Sequence, residues 1–347
     1  MTRLRRAMLA LAAVSLTAAA PAEDWGDQVE AGARPSESQL ICRRVKGRAV
    51  PSADVADARR AAPGLKGCDA EALYYGIGMK ADPVKARQCA ILNSAAGGGE
   101  ADSHFDGEEL LMVIYANGSG VPRDIDLAIH LSCGLQAAPA EHDGRVASLT
   151  ALKSKPGKTP FHYCQDITSG YAMGVCAAHE QRFAEVKRKA DLARITARYT
   201  PPQKQAFAAL ETAAQAYAEA RAGNEIDLSG TGRGAFALEE EAARWAAFQT
   251  LLGQLAAGRL PAATAAQNQA EDAKLNAAYR KLMAAGEPEF GTVTLKGVRD
   301  TERVWIRYRD AWLAFAKAAY PATMPAALSA YLTRERTALL EELLSER

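Results

Sequence analysis

The feature that most constrains the fold of this chain is the position of its cysteines. All six follow a short N-terminal apolar stretch, at Cys42, Cys68, Cys89, Cys133, Cys164 and Cys176. An even number of cysteines behind an export signal indicates disulfides, because compartments outside the cytoplasm are oxidising. The sequence therefore predicts an exported protein that is held together by disulfide bonds.

The N-terminus has the pattern of a secretory signal. Three arginines among the first six residues precede the apolar residues 8–20, and small residues follow as far as Ala22. This apolar stretch is short for a membrane-spanning helix. We predict a signal peptide over residues 1–22, cleavage near Ala22, and a periplasmic or secreted product. Twin-arginine export through Arg5 and Arg6, or an uncleaved amphipathic first helix, are alternatives.

Charge and composition exclude several classes of partner. Residues 1–22 include three of the 42 basic residues and no acidic residue. The rest of the chain therefore has 39 basic and 41 acidic residues. A nearly neutral chain does not favour a nucleic-acid partner. No later segment has about 18 consecutive apolar residues, so no membrane span is expected. Alanine is abundant and β-branched residues are sparse, which favours an all-α fold.

Residues 67–136 contain two copies of a short pattern, 42 residues apart from Leu73 to Tyr115. In each copy glycines can end one helix by adopting positive φ, and an aspartate can then cap the next helix. The positions that carry this pattern are Gly76, Gly78 and Asp82 in the first copy and Tyr115, Gly118, Gly120 and Asp124 in the second. The spacing predicts stacked helix hairpins.

These runs resemble Sel1-like repeats, which are relatives of tetratricopeptide repeats. The first copy departs from the family pattern at Leu73 and Met79, where tyrosine and valine are usual. The resemblance implies short helix-hairpin repeats over residues 67–136 and a role as a protein–protein adaptor.

The predicted hairpins favour particular cysteine pairs. Cys68 begins the first helix of copy one and Cys89 lies late in the second, so an antiparallel pair brings them together. Cys164 and Cys176 form either a second disulfide or, with His162 and His179, a four-ligand zinc site. The disulfide is the favoured alternative, and Cys42 and Cys133 then pair by elimination.

The remaining segments divide the chain further. Residues 23–66 are interpreted as an irregular arm with one short helix near 53–61. Residues 137–160, with Pro139, Gly144 and Pro156, are interpreted as a linker. A larger helical domain is then expected over residues 161–347.

Three long helices are predicted in this second domain, at about 171–199, 203–222 and 297–319. Two of them carry apolar stripes with the same spacing, which places each stripe on one helix face. The stripes are Phe207, Leu210, Ala214 and Tyr217, and Trp305, Tyr308, Trp312 and Phe315, at an offset of 98 residues from Phe207 to Trp305. We interpret them as a degenerate duplication of a helical unit.

Four runs in this domain resemble the lysozyme inhibitor LprI-like family. We name them the first motif (residues 272–282), the second motif (302–310), the third motif (333–336) and the fourth motif (164–177). The resemblance implies a small exported helical domain that binds a protein such as lysozyme. The chain lacks cysteines after Asp310 and before Thr333, so the family's usual disulfide across the later helices is missing.

Two sets of residues are candidates for contact with a partner. Trp305, Tyr308, Arg309 and Asp310 are either core aromatics with an ion pair or a direct binding surface, since Trp, Tyr and Arg are frequent at interface hot spots. The run from 230 to 234 is either a flexible connection or a binding loop that presents Arg233.

No catalytic motif stands out, and we expect no cofactor and no metal. The chain has neither H-E-x-x-H nor G-x-S-x-G, and its five histidines are not at ligand spacing on one helix. The predicted function is that of an envelope binding protein of the lysozyme-inhibitor type, which acts without catalysis. The alternatives are a Sel1-type adaptor in periplasmic assembly or stress, and an uncharacterised envelope hydrolase.

Overall fold

The computed structural model describes residues 24–96, 105–154, 159–260, 262–287 and 291–345. These residues form an all-α fold with no β-strand among them, which confirms the predicted fold class. The signal peptide and its cleavage site lie outside the described residues. The helices are α1 (Glu37–Val45), α2 (Ser52–Ala61), α3 (Ala70–Tyr75), α4 (Pro83–Ala95), α5 (Glu108–Asn117), α6 (Ile125–Gly134), α7 (Pro139–Ser154), α8 (Gly170–Thr196), α9 (Pro201–Asn224), α10 (Arg233–Ala256), α11 (Ala265–Ala284), α12 (Leu295–Ala319) and α13 (Pro325–Ser345).

The helices surround two hydrophobic cores. The first core extends from Trp25 to Cys176, and the second extends from Leu192 to Leu343. We call residues 24–176 the first region and residues 192–345 the second region. Helix α8 begins in the first region and ends in the second. The predicted boundary at residue 161 is therefore too early, because Phe161 and Tyr163 are buried in the first core.

Two helix hairpins, α3–α4 and α5–α6, share one turn geometry. Gly76 and Gly118 end their first helices with φ of 74° and 68°, and each amide bonds to the preceding turn. Asp82 and Asp124 then cap the second helices, accepting from backbone amides at 3.1 and 2.9 Å. Gly78 and Gly120 also have positive φ, of 71° and 68°. The glycines thus end the first helices and the aspartates cap the second ones, as the repeat pattern predicts.

Tyr115 connects the second hairpin to the N-terminal helices. Its ring is buried, and its hydroxyl donates to Asp54 Oδ2 of α2 at 2.6 Å. The same carboxyl group lies 3.4 Å from the buried Arg87 of α4. Tyr115 is therefore part of the core and is not available to a partner.

Three disulfides cross-link the first region. Cys42–Cys133, Cys68–Cys89 and Cys164–Cys176 have Cα–Cα distances of 5.8, 6.1 and 5.9 Å. These distances are within the usual range for disulfides, and the pairs are those favoured from the sequence. The first bond joins α1 to α6 across a sequence separation of 91 residues.

The N-terminal arm is more ordered than the sequence analysis predicted. Helix α2 corresponds to the predicted short helix, but α1 was missed. Ser36 and Gln39 form a capping box at the start of α1. Trp25 donates through Nε1 to Ser38 Oγ at 2.7 Å and stacks on His142 at a centroid distance of 4.7 Å. The arm is thereby packed against α7.

The prediction of a linker over residues 137–160 is wrong for most of its length, because α7 occupies Pro139–Ser154. Val146 and Leu149 are fully buried on one face of this helix. Pro139 is its first residue, where the missing N–H has no cost. Gly144 is tolerated in the interior, close to the side chain of Asp166.

The second region is built around an antiparallel pair, α9 and α12. The Phe207 and Phe315 rings are 5.4 Å apart at one end, and Tyr217 stacks on Tyr308 at 5.0 Å further along. Helix α10 packs against α8, and α13 packs against α11. Each half thus pairs its first helix with its third, an arrangement compatible with the predicted duplication.

Candidate functional site

The first and second motifs face each other across a surface groove between α11 and α12. The groove encloses about 390 Å³. Its lining comes from residues of the two motifs, together with one arginine a turn earlier on α12. The lining residues are Asp272, Leu275, Asn276, Tyr279, Arg299, Glu302, Arg303, Trp305, Ile306 and Arg309.

The floor of the groove is apolar. Leu275 and Trp305 are buried beneath it, and Tyr279 is half-buried. Ile306 is 40% exposed beside them. The groove therefore offers a small apolar surface to a partner.

The two carboxylates of the groove are held by α13. Asp272 Oδ1 accepts from Thr333 Oγ1 at 3.1 Å, and Glu302 Oε2 accepts from Arg336 Nε at 2.9 Å. Burial raises the pKa of Glu302, and the adjacent Arg336 opposes that rise. The third motif thus supplies partners for the first two, which accounts for its threonine and arginine.

The arginines of the groove remain near its surface. Arg303 is 70% exposed and pairs with Asp300 at 2.8 Å. Arg309 lies 5.3 Å from the Trp305 ring centroid and pairs with the exposed Asp310 at 3.1 Å. Arg299 is exposed and forms no ion pair with a described residue. Both carboxylates of the groove thus bond to α13, while its three arginines stay at the rim.

A buried network of charges lies behind the groove. Arg336 is fully buried and donates two hydrogen bonds to Glu225, at 2.6 and 2.7 Å. Glu225 also accepts from Arg221 at 2.9 Å, and Arg221 donates to Glu240 at 2.7 Å. The network fixes α12 and α13 to α9 and α10, so the groove rests on a rigid support.

The predicted contact residues divide into buried and exposed groups. Trp305 and Tyr308 are 2% and 7% exposed, so they belong to the core. Arg309 and Asp310 reach the surface at the groove. Arg233 is exposed but begins α10, outside the groove, and donates to Gly230 O at 3.2 Å. The structure therefore brings together the residues of α11 and α12 but not Arg233.

The loop before α10 packs against α8. A Cβ at Gly170 would lie 2.4 Å from the Gly232 backbone nitrogen, and one at Gly174 would lie 3.4 Å from that of Ala235. Glycines at these positions allow the two backbones to approach closely. Residues 230–234 therefore pack in part against α8, and a partner contact through the exposed Arg233 stays a prediction.

His162 and His179 do come together, as the alternative zinc site required. Their Nε2 atoms are 3.3 Å apart, and His179 Nδ1 contacts the buried Glu71. However, His162 Nδ1 accepts from the Cys164 amide at 3.1 Å, so its proton lies on Nε2. Cys164 and Cys176 are joined in a disulfide, and no group of at least three possible ligands could hold a metal within the described ranges. The zinc alternative is therefore not supported.

None of the described helices is both long and apolar enough to cross a membrane. Residues 254–342 match the family model described as Lysozyme inhibitor LprI. The match begins at the end of α10 and includes α11, α12 and most of α13. It is narrower than the predicted domain, since residues 161–253 and the fourth motif lie outside it. Neither a curated protein nor a solved structure matches the chain.

Proposed function

We propose that this protein binds and inhibits a lysozyme-type cell-wall hydrolase through the groove between α11 and α12. The observation that supports this proposal is the overlap between the Lysozyme inhibitor LprI match and the groove. The first two motifs line the groove, and the third supports it from α13. A match to an inhibitor family favours binding over catalysis.

The three disulfides and the family match indicate an extracytoplasmic protein. We propose that the mature chain acts in the periplasm or after secretion. A cell-wall hydrolase that enters the envelope would be accessible to it there. Inhibition would be steric, by occupation of the active-site cleft.

The test is the lysis of a cell-wall suspension by lysozyme in the presence of the oxidised chain without residues 1–22. We expect slower clearing at micromolar inhibitor. Ile306→Asp, in the groove, should abolish most of the inhibition, because it introduces a charge on the apolar floor. Leu40→Asp is the matched control, since Leu40 is 47% exposed on α1. Unchanged lysis with the wild-type protein would contradict the proposal.

A second candidate, the adaptor function, is favoured by an apolar surface beside the first hairpin. Met79 is 48% exposed in the turn, and Phe183 and Val186 of α8 are each 39% exposed. Val186 lies next to the turn, 3.6 Å from where a Cβ of Gly78 would be. Phe183 is in edge contact with Tyr75 of α3.

Met79→Asp is the appropriate test of the adaptor function, because Tyr115 is buried and Gly118 has positive φ. Captured envelope partners should be lost from this variant and retained by Ile306→Asp. Retention of all partners by Met79→Asp would count against the adaptor function. The opposite pattern, loss with Ile306→Asp alone, would favour the inhibitor.

A further inference from the structure

Neither the family match nor its description assigns a ligand to the arginines at the rim of the α11–α12 groove. Glu302 and Asp272 are occupied by Arg336 and Thr333 of α13. Among the residues that line the groove, the three arginines Arg299, Arg303 and Arg309 outnumber the two carboxylates. Such a rim is complementary to a carboxylate-bearing partner.

These two arginines can exchange their present contacts for a partner. Arg299 forms no ion pair with a described residue, and the pair between Arg303 and Asp300 is highly exposed. Exposed ion pairs of this kind contribute little to stability. Exchanging Asp300 for a partner's carboxylate at Arg303 would therefore cost little folding stability.

The spacing of the two arginines is also informative. Arg299 and Arg303 are four residues apart on α12, so their Cβ atoms are separated by about 5–6 Å on one helix face. Lysozyme-type glycosidases that retain configuration carry two catalytic carboxyl groups about 5 Å apart. A guanidinium group binds a carboxylate through two parallel hydrogen bonds. Because arginine side chains are long and flexible, two guanidinium groups on successive turns of one helix face can be brought to the separation of the two carboxylates.

We propose that Arg299 and Arg303 bind the paired catalytic carboxylates of the inhibited hydrolase, while Ile306 packs against the apolar rim of its cleft. This inference rests on the proposed function, since it names the chemical groups that the same groove recognises. The long arginine side chains reach into a cleft that is too narrow for the helix backbone. Because the chain is nearly neutral overall, this contact depends on local charge complementarity and not on long-range electrostatic attraction.

The experiment compares R299E/R303E with R307E, both in the oxidised protein. Arg307 is exposed on the same helix but does not line the groove, which makes it a matched control. The first probe is lysozyme, native or with both catalytic carboxylates replaced by amides. We expect R299E/R303E to weaken binding of native lysozyme by at least tenfold and R307E by no more than twofold. Wild-type protein should bind the amide form of lysozyme at least tenfold more weakly than the native form.

R299K/R303K keeps both charges but loses the paired hydrogen bonds, so it should bind native lysozyme with intermediate affinity. Circular dichroism and the thermal transition should be unchanged in all three variants. Equal inhibition by wild type and R299E/R303E would overturn the inference while leaving the proposed function intact. Equal affinity of the wild type for native and amide lysozyme would do the same.

A second probe separates this inference from failure of the proposed function. A fluorescent hexaglutamate peptide should bind the wild-type groove and lose at least tenfold in affinity with R299E/R303E. If the wild type leaves lysozyme fully active yet binds hexaglutamate in this way, the proposed function fails and the carboxylate site stands. Absence of peptide binding, equal weakening by R307E, or equally tight binding of polyphosphate would contradict a carboxylate-specific site.

Discussion

The two regions of this molecule are both helical, but they are stabilised differently. The first region contains all three disulfides and a core rich in small aliphatic side chains. The second region contains none of the six cysteines and is held by packed rings and buried charges. Phe207, Phe248, Trp312 and Phe315 are in mutual ring contact at its centre.

One chain thus stabilises its helices by two different mechanisms. Cross-links restrict the unfolded chain of the first region. The second region instead depends on the complete pairing of Arg221, Glu225 and Arg336 in a dry interior. The first region should therefore respond to redox conditions and the second to loss of a single charge.

The largest expected effect is that of reduction. With dithiothreitol we expect the first region to unfold while the second stays folded, because each disulfide contributes roughly 3–5 kcal/mol in the closed-loop model. Trp25 reports on the first region, and Trp245, Trp305 and Trp312 report on the second. The emission of a Trp25→Phe variant should be unaffected by reduction.

C42A/C133A should reproduce about 4.6 kcal/mol of this loss, since its loop is the longest of the three. It should leave the unfolding transition seen by the other tryptophans unchanged. Simultaneous loss of both regions on reduction would refute the idea that their stabilities are independent.

The next effect concerns the buried charges. Arg336→Met should destabilise the second region by about 3–5 kcal/mol, because it leaves Glu225 and Glu302 without their guanidinium partner in the interior. Arg334→Met, two residues away, removes only an exposed ion pair to Glu271 at 3.7 Å. Its effect should stay within about 0.5 kcal/mol in guanidinium unfolding. Similar losses for the two variants would show that the network is not a stabilising element.

Two groups of the first region, His142 and Glu109, contribute to its pH dependence with opposite sign. Burial lowers the pKa of His142 to about 4, so its contribution to stability is present above pH 6.5 and is lost as pH falls. The full loss is about 3 kcal/mol. Burial raises the pKa of Glu109 to about 7, so its contribution is lost as pH rises from about 4.5. Between pH 4.5 and 6.5 the two should largely cancel.

Single substitutions should reveal each component. His142→Phe keeps the stack on Trp25 and removes a ring whose Nδ1 has no hydrogen-bond partner, so stability should then fall as pH rises. Glu109→Gln should give the opposite slope. The measurement is the urea midpoint of the Trp25 signal from pH 4.5 to 7. If the urea midpoints of the two variants changed with pH in the same direction, the opposite contributions of His142 and Glu109 would be contradicted.

The sequence predicted the local features of both regions but not their long-range contacts. The turns at Gly76 and Gly118 and the Cys68–Cys89 pair follow from short-range rules, whereas the Cys42–Cys133 pair, 91 residues apart, follows only by elimination. Helix α1 could have been found from the capping box at Ser36. Helix α7 was missed because Pro139 and Gly144 were interpreted as breakers, although proline is favoured at a first helical position.

The candidate site was predicted only in part for a related reason. The motifs identified α11 and α12, but periodicity does not show which charges turn inward. Glu225 and Arg336 are 111 residues apart and pair because α9 and α13 both pack against α12. From the sequence alone, Glu302 and Asp272 are surface acids, and their bonds to Arg336 and Thr333 appear only in the fold.

The smallest expected effect tests whether local interactions are equivalent in the two regions. Asp124 caps α6 in the first region, accepting from Leu127 N at 2.9 Å, and Thr294 caps α12 in the second, accepting from Gly297 N at 3.0 Å. Replacing either residue with alanine should cost about 1 kcal/mol, because capping bonds depend on the helix end and not on the core behind it. Guanidinium midpoints of the matching tryptophan signals measure both losses. If alanine destabilised only one of the two regions, the disulfides or the buried charges would also have to stabilise helix ends. Long-range stabilisation and local capping would then be coupled in that region.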